Sequence, residues 1–405
     1  MFDCVVVGAG PAGLSASAAL AARGVAHVVL ERGRAGETWR TQRWGSFRLN
    51  TPGWMNPALG AQERESYATR AEVVERLETL AADCPIREVT PVARLARAGA
   101  GWVLRTAAGD LRARAVVVAT GDQNTPKVPA LARAVPARVA QYHAGDYRTP
   151  GLLPAGSVLV VGSGQSGCQI AADLLGGGRR VLLATSPVGR LPCRYRGRGT
   201  YEWLVELGFY DQRPGDLTDP SLLRAPNPVI GGGGHSLSLQ ALARRGVTLV
   251  GRPVAIAGDR LTFDDSVHAN IAAGDAFAAW ARGLVDDLAR RRGGELPPAE
   301  ADPTDTPVEI SPPATLDLRA EEVTSVVWCT GFDGDFSWVD PGLVGPAGQP
   351  RHDGTAAAAP GVWYVGLRWL VCRGSSILRG FPQDAATVAG EVEAYLGGVG
   401  PGHGS

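Results

Sequence analysis

The sequence predicts an α/β protein with two dinucleotide-binding, Rossmann-like domains, the second inserted into a discontinuous first domain. Two strand–turn–helix–strand units support this, at residues 2–33 and 157–186. A further observation is a pair of buried strands that end in Thr-Gly, at 115–121 and 323–331, which suggests that the chain leaves the first domain and later returns. We therefore expect residues 1–150 and 316–405 to form one domain and residues 151–315 the other.

The opening unit contains each part of a dinucleotide fingerprint. It starts with the short apolar strand FDCVVV, continues with a small apolar helix at 12–23, and ends with a second buried strand at 25–30. Between strand and helix stand Gly8, Gly10 and Gly13, in the spacing G-x-G-x-x-G. Such glycines make a tight turn, let the backbone approach a pyrophosphate, and let helix and strand pack closely.

Two further features fit a bound nucleotide. The helix N-terminus offers free N–H groups and a positive dipole end to phosphates. Glu31 ends the second strand about 20 residues after the glycines, where a carboxylate accepts hydrogen bonds from ribose hydroxyls. The sequence therefore predicts a dinucleotide site in the first domain.

The second unit repeats this pattern without the acid. A strand at 157–161 leads into Gly162, Gly164 and Gly167, followed by a helix at 168–175 and a strand at 180–184. Thr185 and Ser186 then stand where the first unit has its carboxylate. Four arginines follow, at positions 190, 194, 196 and 198. A carboxylate in this place favours NAD and an arginine the extra phosphate of NADP, so we expect NADPH here.

Composition excludes several classes of function. Lys plus Arg equals Asp plus Glu at 40 each, so no attraction to nucleic acid or a membrane is expected. No apolar run reaches the ~18 residues of a membrane span, and no signal peptide is recognisable. The six cysteines form no C-x-x-C and the six histidines no H-x-x-x-H, so we expect no metal and a reducing, cytoplasmic location. Oligomeric state stays open, a homodimer included.

The rest of the chain supplies further elements and one aromatic segment. Residues 34–56 contain Trp39, Trp44 and Trp54, either as satellite core or as an apolar lining beside a cofactor. Further helices are expected at 69–84, 236–245, 266–292 and 384–395. Further strands are expected at 89–95, 101–106, 111–113, 115–120, 247–250, 323–329 and 361–365. Residues 203–234, which end in four glycines, and the proline- and acid-rich residues 293–313 are expected to be loops.

Taken together, these motifs resemble the group B flavin-dependent monooxygenases. The resemblance covers nearly the whole chain through GAGPAG, GETW, LNTP, ATGDQNTPKVP, HAGDY, GSGQSGCQIAADL, RYRGR, CTGFDGDFSW and GVWYVGL. The sequence is similar to a bacterial branch of short family members, and this branch also resembles the plant auxin-forming monooxygenases.

The resemblance implies that the first domain holds FAD and the inserted domain NADPH. NADPH would reduce the flavin, and the reduced flavin would meet O₂ and form a C4a-(hydro)peroxyflavin. One oxygen atom would then pass to a small-molecule soft nucleophile, nitrogen or sulfur. Asn50, in LNTP, matches the family's asparagine near the reacting flavin, with a role in positioning and hydrogen bonding.

The resemblance also assigns a set of cofactor-binding residues. The last helix would direct its N-terminus, near Gln383, at the flavin pyrimidine ring. The full set is Gly8, Gly10, Pro11, Ala12, Gly13, Glu31, Arg32, Thr38, Trp39, Asn50, Thr120, Gly121, Gly162, Gly164, Gln165, Ser166, Gly167, Ser186, Arg190, Arg194, Thr330, Gly331 and Gln383.

Three alternatives stay open. Baeyer–Villiger oxygenation of a ketone uses the same cofactors, but Ala137 and Val139 stand where the family fingerprint ahead of His143 has Phe and Gly. An NADPH-dependent thiol or disulfide reductase is disfavoured by the missing C-x-x-C, although Cys84 could act with an external thiol. A flavin-binding redox sensor without turnover is the third alternative.

Overall fold

The computed structural model describes residues 1–292 and 297–398, and it contains two parallel sheets flanked by helices. The strands are β1 Phe2–Val7, β2 His27–Leu30, β3 Ile86–Arg87, β4 Val92–Ala98, β5 Gly101–Thr106, β6 Gly109–Val118, β7 Thr125–Pro126, β8 Ala140–His143, β9 Ser157–Val161, β10 Val181–Ala184, β11 Arg194–Tyr195, β12 Arg198–Gly199, β13 Thr248–Val250, β14 Pro253–Ala257, β15 Arg260–Phe263, β16 Thr315–Asp317, β17 Val323–Trp328, β18 Phe332–Asp333, β19 His352–Asp353, β20 Ala356–Ala357 and β21 Val362–Tyr364.

The α-helices are α1 Pro11–Ala22, α2 Glu37–Thr41, α3 Arg70–Ala82, α4 Gln165–Gly176, α5 Thr200–Glu206, α6 Leu239–Arg244, α7 Val267–Arg292 and α8 Phe381–Leu396. Short 3₁₀ helices lie at Gly53–Met55, Pro57–Leu59, Ala130–Ala134, Pro150–Leu152, Pro214–Asp216, Pro220–Leu223, Gly232–Gly234, Pro303–Asp305, Pro341–Leu343 and Arg373–Ser376. Among the described helices, none has the combination of length and apolar character needed to cross a bilayer.

The first sheet has the strand order β19-β20-β21-β6-β1-β2-β3, with β5 and then β4 added on β6. Its central strands β21, β6, β1, β2 and β3 are parallel. The valines of β1 and β6 are buried because the sheet is covered on both faces. Helices α1 and α8 pack on one face, and the β4–β5 hairpin packs with residues 336–343 and 367–370 on the other.

The second sheet has the order β13-β10-β9-β17-β8, and all its pairings are parallel. Helix α4 packs on one face through Ile170 and Leu174. A small antiparallel sheet, β14-β15-β16, packs on the other face through Leu261, Phe263 and Leu316. The prediction of two Rossmann-like units is confirmed.

The strand pairing moves the predicted domain boundaries. Strand β17 pairs with β9 as β6 pairs with β1, and β8 pairs with β17. Residues 140–143 and 323–328 therefore belong to the second sheet, although they lie outside the limits expected at 150/151 and 315/316. The second Thr-Gly strand, β17, takes the same place in the second sheet that β6 takes in the first. The chain returns to the first sheet only after β17. At the crossing, β7 and β18 pair antiparallel, so the outgoing and returning segments lie side by side.

Most other predicted elements are observed with shifted ends. The strands expected at 111–113 and 115–120 are one strand, β6, and two segments expected to be loops contain helices α2 and α5. Helix α8 begins three residues earlier than expected, because Pro382 is well tolerated in a first helical turn. Within the expected loop at 293–313, residues 293–296 lie outside the described part of the chain, as do residues 399–405 of the last domain segment.

Candidate functional site

The first glycine turn closes on itself and on the neighbouring strand. Gly8 has φ +105°, and a Cβ there would lie 2.8 Å from the carbonyl oxygen of Ala119. A Cβ on Gly13 would lie 1.9 Å from the carbonyl oxygen of Gly8, which no side chain allows. A Cβ on Gly10 would meet no atom within 4 Å. Two glycines are thus required by the protein itself, whereas Gly10 faces space that a ligand can enter.

Glu31 is tied to this turn. Its carboxylate accepts hydrogen bonds from the N–H groups of Ala9 (2.7 Å) and Gly33 (2.9 Å), and the residue is buried. Each bond uses one carboxylate oxygen, so further lone pairs remain for ribose hydroxyls in the adjoining cavity. The position agrees with the ribose role expected from the sequence.

A cavity of about 550 Å³ extends from this turn between β1, β6 and the loops at their carboxyl ends. Ten of the residues predicted to contact cofactors line it: Gly8, Gly10, Pro11, Ala12, Glu31, Arg32, Thr38, Trp39, Thr120 and Gly121. Gly13, Asn50 and Gln383 do not line it, although Phe381 in the first turn of α8 does. Oγ1 of Thr120 is buried and has no hydrogen-bond partner among the described residues, as expected where a polar ligand belongs.

The lining also contains residues that sequence reasoning missed. Asp335, Ser337 and Trp338 come from the DFSW segment, which had indicated the family but had not been assigned to the site. The amide oxygen of Asn124 accepts the N–H of Asp335 at 2.8 Å, which ties this segment to the loop after β6. Local sequence patterns could not predict this contact, because about 210 residues separate the two segments.

Trp39 is the tryptophan of residues 34–56 that lines the cavity. The guanidinium of Arg43 lies 5.0 Å from the Trp39 ring centre and 5.7 Å from that of Phe47. Burial lowers the pKa of Arg43 to about 10. Trp44 is buried against Phe47 and Tyr147 as satellite core, whereas the place of Trp39 beside a cofactor stays a prediction.

The second glycine turn reproduces the geometry of the first. Gly162 has φ +103°, and a Cβ there would lie 2.6 Å from the carbonyl oxygen of Cys329. A Cβ on Gly167 would lie 1.8 Å from the carbonyl oxygen of Gly162, and one on Gly164 would meet nothing within 4 Å. Cys329 and Ala119 each precede a Thr-Gly pair, which explains why the two strand ends resemble each other.

The two sites differ at the end of the second strand. The hydroxyl of Ser186 accepts the N–H of Ser163 (3.3 Å), as Glu31 accepts that of Ala9. The N–H of Ser186 in turn donates to the Ser163 hydroxyl at 2.9 Å. A neutral hydroxyl therefore stands where the first site has a negative charge, and no carboxylate at this position would repel an additional phosphate.

The structure does not bring all four arginines of residues 190–198 into this site. Arg190 was predicted to contact the nucleotide, but it is buried and forms ion pairs with Asp275 (2.6 Å) and Asp305 (2.7 Å). These bonds join it to α7 and to the segment after it. Arg196 and Arg198 likewise pair with acids. Arg194 is exposed, and within residues 1–292 and 297–398 no carboxylate lies within ion-pair distance of it.

Gln165 and Ser166, in the first turn of α4, follow the second turn directly. The Gln165 side chain binds both backbone groups of Ile230, donating to its oxygen (2.6 Å) and accepting from its nitrogen (3.0 Å). Thr330 donates from its hydroxyl to the Lys127 carbonyl, and Gly331 follows it at the end of β17.

His143 has a structural position at that strand end. Its Nδ1 accepts the N–H of Gly145 (3.2 Å), so Nε2 carries the proton and donates to the Gly331 carbonyl (2.9 Å). Burial lowers the pKa of His143, which keeps the ring neutral.

Asn50 lies between the two units, outside the lining of the cavity. Its side-chain oxygen accepts a 2.8 Å hydrogen bond from Nε2 of Gln169, on α4. Among the described residues, no protein acceptor lies within hydrogen-bond distance of its Nδ2. The side chain therefore bridges the domains and retains an unused donor.

Comparisons with known proteins agree with this geometry. Residues 5–190 match the protein-family model of the pyridine nucleotide-disulphide oxidoreductases. A CzcO-like oxidoreductase of Geobacillus kaustophilus is 26% identical over 398 residues, covering 96% of this chain and 98% of that protein. Indole-3-pyruvate monooxygenase YUCCA1 of rice is 32% identical over 242 residues, covering 57% of this chain and 59% of that protein. The chain is thus similar to oxidoreductases that include a plant monooxygenase.

The resemblance to monooxygenases that the motifs indicate agrees with these similarities. A flavin-containing monooxygenase from Stenotrophomonas maltophilia has the same fold, with a TM-score of 0.64 at 24% identity, over 98% of this chain and 99% of that one. The paired glycine turns and the open space at Gly10 and Gly164 fit two bound dinucleotides.

Asp384 places an ionisable carboxyl group in the first turn of α8. It is buried, and its Oδ2 has no hydrogen-bond partner among the described residues. Burial raises the pKa of this carboxyl to about 6, although the Ser375 hydroxyl favours the charged form. Burial thus outweighs the stabilisation that a helix N-terminus gives to an anion.

We expect Gly10→Ala to lower FAD occupancy of the purified protein about tenfold or more while leaving the melting temperature of the apoprotein unchanged. The backbone of Gly10 has φ −78°, which alanine adopts freely, and the new Cβ meets no protein atom. Flavin absorbance and thermal melting measure the two effects. Gly176→Ala, at another open glycine, is the control and should keep its FAD. Normal flavin content in Gly10→Ala would contradict the assignment.

Asp384→Asn should stabilise the protein at pH 8 by about 1–3 kcal/mol and change little at pH 4. The folded-state pKa lies above the usual aspartate value of 3.8, so wild-type stability falls as pH rises from about 4 to about 6 and stays lower above that. Free energies of unfolding from urea titrations between pH 4 and 8 test this. The exposed variant Asp353→Asn serves as control. Parallel pH profiles for wild type and Asp384→Asn would contradict it.

Proposed function

We propose that the protein is an FAD-dependent monooxygenase that uses NADPH and O₂ to transfer one oxygen atom to nitrogen or sulfur of a small molecule. The balance is NADPH, a proton, O₂ and substrate giving NADP⁺, water and the oxygenated product. The observation that carries the proposal is the pair of glycine turns with matching geometry, of which one is closed by Glu31 and the other by neutral Ser186.

FAD would be held by the cavity of the first domain. Gly8, Gly10 and Gly13 shape the pyrophosphate turn, and the carboxylate of Glu31 offers acceptors to ribose hydroxyls. The predicted residues around them are Pro11, Ala12, Arg32, Thr38, Trp39, Thr120, Gly121 and Gln383. When bound, FAD accepts a hydride from NADPH and, once reduced, activates O₂.

NADPH would be held by the second turn. The N–H groups at the start of α4 point toward the open space at Gly164 and would bind the pyrophosphate. Ser186 leaves room for the additional phosphate without a competing negative charge. Among the four arginines of residues 190–198, Arg194 would bind the additional phosphate, because the other three form ion pairs with carboxylates. Gly162, Gln165, Ser166, Gly167, Thr330 and Gly331 complete this set.

Asn50 would serve the reaction through its amide. Its oxygen is already bonded to Gln169, so its N–H groups remain to donate into the space between the domains. An apolar cluster that includes Met55, five residues after Asn50, would help to keep water away from the reacting atoms. The cluster consists of Met55, Leu191, Tyr201, Leu204, Phe209, Ile230 and Ala281.

Thiol chemistry receives less support. Of the residues that line the described cavity, none is a cysteine. Burial raises the pKa of the Cys4, Cys168 and Cys193 thiols to about 12, so they carry almost no thiolate at neutral pH. Cys84 donates its thiol to the Leu80 carbonyl at the end of α3.

The proposal predicts NADPH-dependent oxygen uptake that a substrate stimulates and that yields an oxygenated product. A panel of amines, sulfides and ketones, followed by oxygen electrode and mass spectrometry, tests it. Asn50→Ala should divert most of the reducing equivalents to hydrogen peroxide, lowering product per NADPH about tenfold. Wild-type protein that releases all its equivalents as peroxide with every amine and sulfide would sink the proposal, and a ketone product would redirect it to Baeyer–Villiger oxygenation.

Gly164→Ala should weaken NADP⁺ binding about tenfold or more and leave FAD content unchanged. Gly164 has φ −70°, and a Cβ there meets no protein atom, so the fold tolerates alanine. Isothermal titration of the FAD-loaded protein with NADP⁺ gives the affinity. Gly10→Ala is the reciprocal variant and should lose FAD first. Equal NADP⁺ affinity in Gly164→Ala and wild type would refute this assignment.

A further inference from the structure

Helix α4 carries a stripe of polar side chains at Gln165, Gln169 and Asp173. These positions are four residues apart and therefore lie on one face of the helix. Gln169 donates to Asn50, and Asp173 accepts from the hydroxyl of Ser46. Two successive turns of α4 therefore bind two residues of one loop in the first unit, Asn50 and Ser46, which are four residues apart.

The run of four glycines, which the proposed cofactor sites leave unexplained, packs against the same contact. A Cβ on Gly232 would lie 2.6 Å from Nε2 of Gln169 and 3.3 Å from the carbonyl oxygen of Arg48. The N–H of Gly233 donates to the carbonyl oxygen of Leu49 (3.4 Å). The run therefore leaves just enough space for the Gln169 side chain to reach Asn50.

The hydrogen bond between the two amides also sets their direction. In this bond Nε2 of Gln169 donates, and the atom of Asn50 that faces it is the oxygen. Turning the Asn50 amide would place two N–H groups against each other. In this pairing the N–H groups of Asn50 face away from α4.

We propose that Gln169 is a positioning residue for the oxygen-transfer reaction, because it fixes the amide of Asn50 with its donor directed away from the NADPH-binding helix. Gly232 supports it by leaving its side chain room. This inference rests on the proposed function, because it takes Asn50 as the group that acts near the flavin. Gln169 itself needs no contact with either cofactor.

The test compares two substitutions at Gln169 in the FAD-loaded protein. Q169M removes the donor and keeps the chain length. Q169E keeps the shape but offers an acceptor, so it turns the Asn50 amide round. We expect both to lower product per NADPH consumed about threefold to tenfold, while the Kd for NADP⁺ stays within about twofold of wild type.

Two matched controls separate positioning from folding. D173N weakens the neighbouring contact of α4 with the same loop, so it should lower the melting temperature but keep the product yield. G232A pushes a Cβ against the Gln169 amide and should reproduce the lowered yield, whereas G215A, at an open glycine, should not. Unchanged yield in both Gln169 variants, or an equal loss in D173N, would overturn the proposal.

A readout independent of oxygen transfer keeps this inference distinct from the proposed function. In a double-mutant cycle, N50A and Q169A should be non-additive in melting temperature, the double variant losing no more than the larger single loss. N50A, Q169M and their combination should also give one and the same altered flavin difference spectrum on adding NADP⁺. If no substrate is oxygenated but the cycle is non-additive and the spectra coincide, the proposed function fails and the positioning of Asn50 stands. Additive melting losses would remove the inference itself.

Discussion

The constraint that the two units share is the contact between the third and the first glycine of each turn. A Cβ would come within 1.9 Å of a carbonyl oxygen in the first unit and within 1.8 Å in the second. Helix and strand can approach this closely only when both residues lack side chains. That approach brings the N-termini of α1 and α4 to the strand ends, where their free N–H groups face open space. Both nucleotide sites follow from it.

One structural unit is thus used twice, with one chemical difference. In each unit the residue after the first glycine donates its N–H to a side chain that follows the second strand, Glu31 one residue after β2 and Ser186 two residues after β10. In both units the carbonyl before a Thr-Gly pair also closes on the first glycine. A carboxylate in this place disfavours an additional phosphate on the ribose and a hydroxyl does not, which supports the proposal that the second unit holds NADPH.

The contacts between the units connect the two cofactor sites. Gln169 and Asp173 hold the loop that carries Asn50, and the glycine run at Gly231–Gly234 fits between them and the first unit. Gln165, one turn earlier, holds Ile230 just before that run. A polar stripe on one helix thus joins the NADPH turn, the glycine run and the proposed reaction centre. Such a stripe rigidifies the boundary where hydride and oxygen transfer would take place.

The sequence by itself determined the two Rossmann units and most of the first cofactor cavity, because G-x-G-x-x-G, buried strands and Glu31 are local patterns with local physical causes. Only the tertiary structure decided the domain limits, since β8 and β17 join the second sheet through pairing between distant segments. It also showed that Arg190 forms ion pairs, because the acids that bind it lie about 85 and 115 residues away in sequence. Likewise, no local pattern could place Gln169 against Asn50, because a hydrogen bond across two domains depends on how they pack.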